Sequence, residues 1–223
     1  GLDRFFVDAG TDLVTDLGAG AMDILVVSAG ATAQATLAAD WVASRASINA
    51  GVANLIAGGF DVSMAAALGT AGWNVSNAGD SNAVALTGSG RADVLTGGLG
   101  ADTLIGGAGN DTIIGGAGVD RLTGGAGRDS FRFDSVADAA GDVITDFSAA
   151  SGDKLDLRLI DANAGVEGDQ AFAFVGPGAF TGVAGQLRFG DVVAMGDVNG
   201  DGTADFQIQM NGVASLAATN FWL

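Results

Sequence analysis

Cysteine and histidine are both absent from the 223-residue chain, and proline occurs once, at Pro177. Without cysteine no disulfide framework is possible, and without either residue no zinc site of the usual Cys/His kind can form. Ser-His-Asp and Cys-His catalysis are excluded within the chain for the same reason. No run of about 18 apolar residues occurs, so nothing reads as a membrane-spanning helix. Basic residues are scarce, 9 against 26 acidic ones, for a net charge of −17. Such a surface repels nucleic acid and anionic lipid, and in the absence of a counter-cation it repels itself.

Glycine is what the chain has in excess: 38 residues, with no collagen period. A hydrophobic fraction of 48% nevertheless argues against disorder. The length suits one elongated domain or two small ones and can bury a sizeable core. The glycines concentrate between Gly97 and Arg132, which reads GGLGADTLI, GGAGNDTII, GGAGVDRLT, GGAGRDSFR. These are four nonapeptides of the form G-G-x-G-x-D-x-U-x, with Leu104, Ile113, Leu122 and Phe131 at the large apolar position. That pattern is the signature of a calcium-loaded parallel β-roll, and the fold class it predicts is all-β.

The chemistry follows from the residue types. In the six-residue turn, glycines (Gly97, Gly98, Gly100; Gly106, Gly107, Gly109; Gly115, Gly116, Gly118; Gly124, Gly125, Gly127) permit positive φ and close backbone approach, so carbonyls can turn inward. The sixth position supplies a carboxylate: Asp102, Asp111, Asp120, Asp129. The last three residues form a short strand whose apolar side chain enters the core. Two nonapeptides complete one coil, so each repeat stacks on the next but one. Stacked carboxylates and inward carbonyls need a hard cation between them, and Ca²⁺ takes six to eight such oxygens. A flexible linker would need neither Asp nor a large apolar residue in phase. A worn repeat precedes the four: Gly88, Gly90 and Asp93 are kept in GSGRADVLT. Pairs Asp93/Asp111, Asp102/Asp120 and Asp111/Asp129 predict at least three bound ions. One step earlier Val84 stands at the carboxylate position, so no side-chain metal ligand is expected there.

Asp3-Arg4-Phe5-Phe6-Val7-Asp8, Asp12-Leu13-Val14-Thr15-Asp16-Leu17 and Asp23-Ile24-Leu25 recur as Asp129-Ser130-Phe131-Arg132-Phe133-Asp134, Asp142-Val143-Ile144-Thr145-Asp146-Phe147 and Asp153-Lys154-Leu155. The second copy follows directly on the array. The first copy therefore reads as the continuation of a longer repeat protein, with Asp3, Asp12 and Asp23 supplying only part of a site. Between Ile24 and Leu86, alternation in Thr32–Leu37, Phe60–Met64 and Trp73–Ser76 predicts strands stacked on the roll. On alanine propensity, Ala33 to Ala46 also reads as a helix. Trp41 and Trp73 read as core. Beyond the array, Leu155/Leu157/Leu159, Phe172/Phe174, Leu187/Phe189 and Phe206/Ile208/Met210 each mark one strand face, predicting an antiparallel cap of the kind a solenoid end needs. The loop Asp197-Val198-Asn199-Gly200-Asp201-Gly202-Thr203-Ala204-Asp205 has oxygen side chains spaced as in an EF-hand, but Ile208 at the twelfth position. It reads equally as a hairpin turn capped by its own side chains. The division expected is 1–86 for an N-terminal β-rich segment, 87–134 for the roll and 135–223 for the cap.

Residues 86–223 resemble the C-terminal domain of serralysin-type secreted metalloproteases, within the RTX (repeats-in-toxin) group with hemolysin-type calcium-binding repeats. The array carries that resemblance, with Ser130-Phe131-Arg132-Phe133, Asp142 to Phe147, Gly152 to Leu157, Gly185 to Phe189 and Gly196 to Gly202. It implies a calcium-bound β-roll, further ligands at Asp138, Asp142 and Asp153, and a C-terminus read by a type I secretion apparatus. The family's usual terminal acid is lost here: the chain ends Asn220-Phe221-Trp222-Leu223. The family's zinc motif needs histidines, which are absent. The function expected is a non-catalytic calcium-binding module of a secreted, extracellular or surface-layer protein. Two others stay open: the tail of a secreted protease, lipase or polysaccharide epimerase, and a calcium-dependent adhesin touching a cell surface or polysaccharide.

Overall fold

Short runs between glycine and asparagine turns leave room only for short strands, and in the computed structural model they run from two to seven residues. The structure describes residues 2–18 and 23–223. Among these the chain winds as a parallel solenoid with no α-helix. From Ile24 to Thr87 each coil contributes one strand to each of three sheets. One face holds Arg4–Val7, Ile24–Val27, Ile48–Asn49 and Leu68–Gly69. A second begins with Thr11–Leu17, Thr32–Leu37, Val52–Ile56 and Asn74–Ser76, and a third with Trp41–Val42, Val62–Ser63 and Ala85–Thr87. Successive coils pair in constant register, Ala33 with Ala53 and Leu55 with Val75.

The first face stops at Leu68–Gly69. From there the glycine turns close directly between the two remaining sheets, and the pairing offset shortens from that of Leu55↔Val75 to that of Leu86↔Leu104. Leu86, Leu104 and Leu122 stack on one sheet, and Leu95, Ile113 and Phe131 on the other. All six are fully buried, and each contributes about 1.5–3 kcal/mol of burial free energy. The three-faced part encloses a wider interior, which larger and smaller side chains fill together. Trp41 and Trp73 meet edge to face at 6.0 Å, and the Trp41 indole N–H donates to the Asp23 carbonyl at 3.0 Å. Both tryptophans are core, as expected. Ala33, Ala35 and Leu37 alternate inward along Thr32–Leu37, so the helical reading of Ala33 to Ala46 gives way to strand.

After the array, Ala140–Ile144 and Lys154–Asp156 each add one more parallel rung. Phe221–Trp222 then closes one sheet, with Leu155 opposite Phe221. On the other, Phe206–Met210 pairs parallel to Ala140–Ile144 and leads into the antiparallel pairings with Val193–Asp197 and Gln186–Gly190. The cap is thus an antiparallel meander grafted onto a parallel edge. Ala173–Gly176, however, joins it parallel to Gln186–Gly190 and leaves Phe172 ahead of the strand, unlike the antiparallel Phe172/Phe174 face expected. Leu159 departs from the expected strand face. The strand ends at Asp156, which turns to pair with Arg158, and leaves Leu159 55% exposed. Ile113→Ala should therefore cost about 2–5 kcal/mol and Leu159→Ala less than about 0.5 kcal/mol, checked by chemical denaturation in saturating calcium.

Candidate metal centre

Parallel stacking in the tighter register brings the array's carboxylates into two ladders, one along each edge where the sheets meet. On one edge Oδ1 of Asp93, Asp111, Asp129 and Asp153 accepts the backbone N–H of Trp73, Asp93, Asp111 and Asp129 respectively, at 2.6, 2.8, 2.9 and 3.0 Å. On the other, Oδ1 of Asp102, Asp120 and Asp142 accepts the N–H of Val84, Asp102 and Asp120, each at 2.8 Å. Each carboxylate is thereby clamped to the coil before it. All seven are buried. Val84 keeps the register and the core but adds no oxygen.

The second oxygen decides the chemistry. Oδ2 of Asp111, Asp120, Asp129 and Asp142 is buried with no hydrogen-bond partner. At the other three carboxylates, all at ladder ends, it is satisfied: Asp93 Oδ2 by the Ser89 N–H at 2.6 Å, Asp102 Oδ2 by the Gly98 N–H at 2.6 Å, Asp153 Oδ2 by the Ser148 N–H at 2.8 Å. The repeat glycines crowd the carboxylates of the array. A Cβ on Gly97 or Gly106 would collide with Oδ2 of its own repeat's Asp and with the carbonyl of Gly115 or Gly124 one coil on; Gly88 shows the same pairing with Asp93 and Gly106, while at Gly115 and Gly124 the obstacle is the carboxylate of Asp120 or Asp129. The fourth-position glycines, Gly109, Gly118 and Gly127, lie at φ of +133°, +131° and +142° against the backbone of the coil before. Gly107, Gly116 and Gly125 likewise press on a carbonyl one coil back, whereas Gly98 and Gly100 touch the Asn77–Ala83 turn and Gly90 faces open space. Buried oxygens with no proton to share, set beside carbonyls, form a hard-cation donor set. Among the described residues no three acidic side chains are placed to hold a metal by themselves; each gap offers two carboxylates and backbone oxygens.

Burial pushes these carboxyls up, to about 7 for Asp111 and Asp120 and about 8 for Asp142. Neighbouring ladder charges add to the shift, and the clamping N–H groups oppose it. Asp93, Asp102, Asp129 and Asp153 are raised by the same burial. Asp138 is half-buried, and its charge raises both Asp120 and Asp142, so the structure brings it to the end of the second ladder. Asp146 was not anticipated. Its oxygens accept the N–H groups of Gly124 and Gly125 at 2.9 and 2.8 Å, and its charge raises Asp129 and Asp153. Its spacing from Asp142, the same as Asp16 from Asp12, was the available signal.

The Asp197–Asp205 loop belongs to the cap and to neither ladder. Asp197 accepts the N–H groups of Gly200 and Gly202 at 2.7 and 3.0 Å, and Asp205 those of Val198 and the Asn199 amide at 2.7 Å each. Asn199 caps Asp201, and Asp201 caps Thr203. These bonds hold it as a side-chain-capped hairpin turn. In the three-faced part, buried Asn49 and Asn77 occupy the coil edges. Asn49 accepts from Gly51 N–H at 3.1 Å and donates to the Gly72 carbonyl; Asn77 accepts from Gly59 N–H at 2.8 Å and donates to the Asn82 carbonyl at 3.4 Å. An amide both donates and accepts, so it needs no cation.

The family described as RTX calcium-binding nonapeptide repeat (4 copies) matches residues 87–122, 96–131 and 106–138 in overlapping windows. The chain carries an RTX calcium-binding array. The orphaned Oδ2 atoms fall inside that array or, for Asp142, one coil beyond it. No curated protein matches the chain closely enough to count as a relative. Among solved structures, the chain is similar to the AlgE6R3 subunit of the Azotobacter vinelandii mannuronan C5-epimerase, at 28% identity over 66% of this chain and 81% of that one, with a TM-score of 0.47. The RTX array makes this part of the chain a calcium-binding β-roll.

The raised carboxyls fix a pH dependence. Folded values of about 7–8 lie above the unfolded value near 3.8, so between them the metal-free folded state binds more protons than the unfolded one. Stability of the metal-free roll is then highest in acid and falls as pH rises from about 4 through 8. Calcium displaces those protons, so its affinity should rise over the same window. Thermal melts at pH 5 and pH 8, with and without calcium, should show opposite orders.

Proposed function

We propose that this chain is a non-catalytic module that folds on calcium outside the cell, as part of a secreted or surface-layer protein. The observation that carries this is the set of four orphaned, buried carboxylate oxygens, in register, at Asp111, Asp120, Asp129 and Asp142. Each belongs to a different stacked pair: Asp93/Asp111, Asp102/Asp120, Asp111/Asp129 and Asp120/Asp142. The fifth pair, Asp129/Asp153, has Asp146 beside it. Residues 87–134 then form the metal-dependent segment, residues 1–86 a metal-independent one, and residues 135–223 the cap with Asp138, Asp142 and Asp153 as closing ligands.

The energetics support a switch. Ordering a residue costs about 1–2 kcal/mol of backbone entropy, and each three-residue strand of the array buries one large side chain. A ligand that binds only the folded state contributes about 2.7 kcal/mol per site at a hundredfold excess over Kd. Four or five such sites decide whether the roll forms. In a cytosol low in free calcium the array stays open and can thread a type I exporter; in millimolar calcium it folds. Asn220–Leu223 is the segment we assign to the exporter. In the folded chain Phe221 is buried, 4.9 Å from Phe174, and Arg158 lies 4.9 Å over the Trp222 ring. Folding therefore withdraws Phe221 from any reader, while Trp222 stays 41% exposed.

Calorimetry should find at least four bound calcium ions, and Asp120→Asn, which touches two stacked pairs, should remove more than one. In EGTA the amides of Thr103–Arg132 should lose hydrogen-exchange protection while Thr32–Leu37 and Val52–Ile56 keep theirs. Full protection of the array in EGTA, or no bound metal at millimolar calcium, would sink the reading. Deleting Asn220–Leu223 should abolish secretion through a type I exporter; undiminished secretion would refute the terminal signal.

A further inference from the structure

The two copies of the Asp3–Leu25 pattern differ in what lies before them. Ahead of the second copy every upstream-facing group is engaged. Asp129 and Asp142 accept the Asp111 and Asp120 amides at 2.9 and 2.8 Å, Thr145 bonds Thr123 at 2.8 Å, and Asp146 takes the Gly124 and Gly125 amides at 2.9 and 2.8 Å. The first copy reproduces the downstream half of this geometry. Asp23 accepts the N–H of Asp3 at 3.1 Å and of Gly18 at 2.9 Å, where Asp153 accepts those of Asp129 at 3.0 Å and Ser148 at 2.8 Å. In that alignment Asp3, Asp12, Thr15 and Asp16 are the counterparts of Asp129, Asp142, Thr145 and Asp146. All four are exposed, and among the described residues nothing hydrogen-bonds to their side chains. Arg4–Val7 and Thr11–Leu17 are also the outermost strands of their sheets, each with a row of backbone groups open to pairing.

We infer that this end of the solenoid is a docking surface for a parallel coil of GGxGxD repeats, joined in cis ahead of Asp3 as Arg128 is joined to Asp129. The incoming coil's turn amides meet Asp3, Asp12 and Asp16, and calcium is shared with Asp3 and Asp12. A second copy of this chain does not fit the role, because the downstream edges of its own array are already covered by Ala140–Ile144 and Lys154–Asp156. The inference rests on the calcium reading of the array.

The test extends the full chain by placing a duplicate of Gly88–Arg128 directly before Asp3. In calcium, amide exchange across Thr11–Leu17 should slow at least ~10-fold relative to the unextended chain, and calorimetry should count more bound ions. Asp3→Asn with Asp12→Asn should reverse the slowing in the extended chain, yet leave the ion count of the unextended chain unchanged. Unchanged exchange at Thr11–Leu17, or indifference to the double substitution, overturns docking while the unextended chain still binds calcium. Self-association of the unextended chain through these strands, seen by sedimentation and abolished by Leu13→Lys, would reassign the surface to a second copy. An unextended chain that binds no calcium overturns the array's reading itself, and docking with it.

Discussion

A carboxylate cannot stack on another carboxylate without help, and the geometry of this molecule depends on how that help is supplied. One oxygen of each ladder Asp is held by an amide of the preceding coil, which ties coil to coil and fixes the register of the array. In Asp111, Asp120, Asp129 and Asp142 the other oxygen is left inside with no hydrogen-bond donor. An unpaired anion in such a place is expensive, and its usual escape is to take a proton. The upward-shifted pKa values of Asp111, Asp120 and Asp142 reflect that escape. Calcium offers the other way out, and the glycines exist at these positions because any side chain would fill the space the oxygens need.

The same solenoid solves its edge problem differently in its three-faced part and in the array. Where the coils are longer and three-faced, Asn49 and Asn77 satisfy turn groups by donating and accepting at once. Where the coils shorten and the third face disappears, Asp replaces Asn and the edge becomes a cation site. The interior follows suit. The wider coils are filled by a tryptophan pair and many alanines, and the narrow ones by a single file of Leu, Ile and Phe from each sheet. The three-faced coils and the array thus share one continuous pair of sheets.

Cap and tail close what the array leaves open. Asp138 and Asp146 bring charge to the last rungs of the two ladders, and the meander Gln186–Met210 turns one parallel edge into an antiparallel one. Phe221–Trp222 completes the other sheet. The Asp197–Asp205 hairpin supports this meander by binding its own turn amides.

The nonapeptide array was legible in the sequence because its period is strict. Leu104, Ile113, Leu122 and Phe131 in phase with Asp102, Asp111, Asp120 and Asp129 admit one winding, and that winding dictates which carboxylates stack. Even the worn repeat at Asp93 and the lapse at Val84 could be read, since each keeps its place in the period. What the sequence did not determine was the number of faces per coil, because Ala-rich alternation between Ile24 and Leu86 satisfies a strand on any face. Nor did it separate Asp146, a ladder neighbour, from the many other surface acids, or show that Leu159 lies past the end of its strand. Those depend on where longer, irregular coils return the chain to the stack, bringing Val143 back to Arg121 and Lys154 back to Ser130. Only long-range packing sets that. Local periodicity decides what repeats; the tertiary structure decides everything that interrupts the repeat, since loop closure there is governed by contacts distant in the chain.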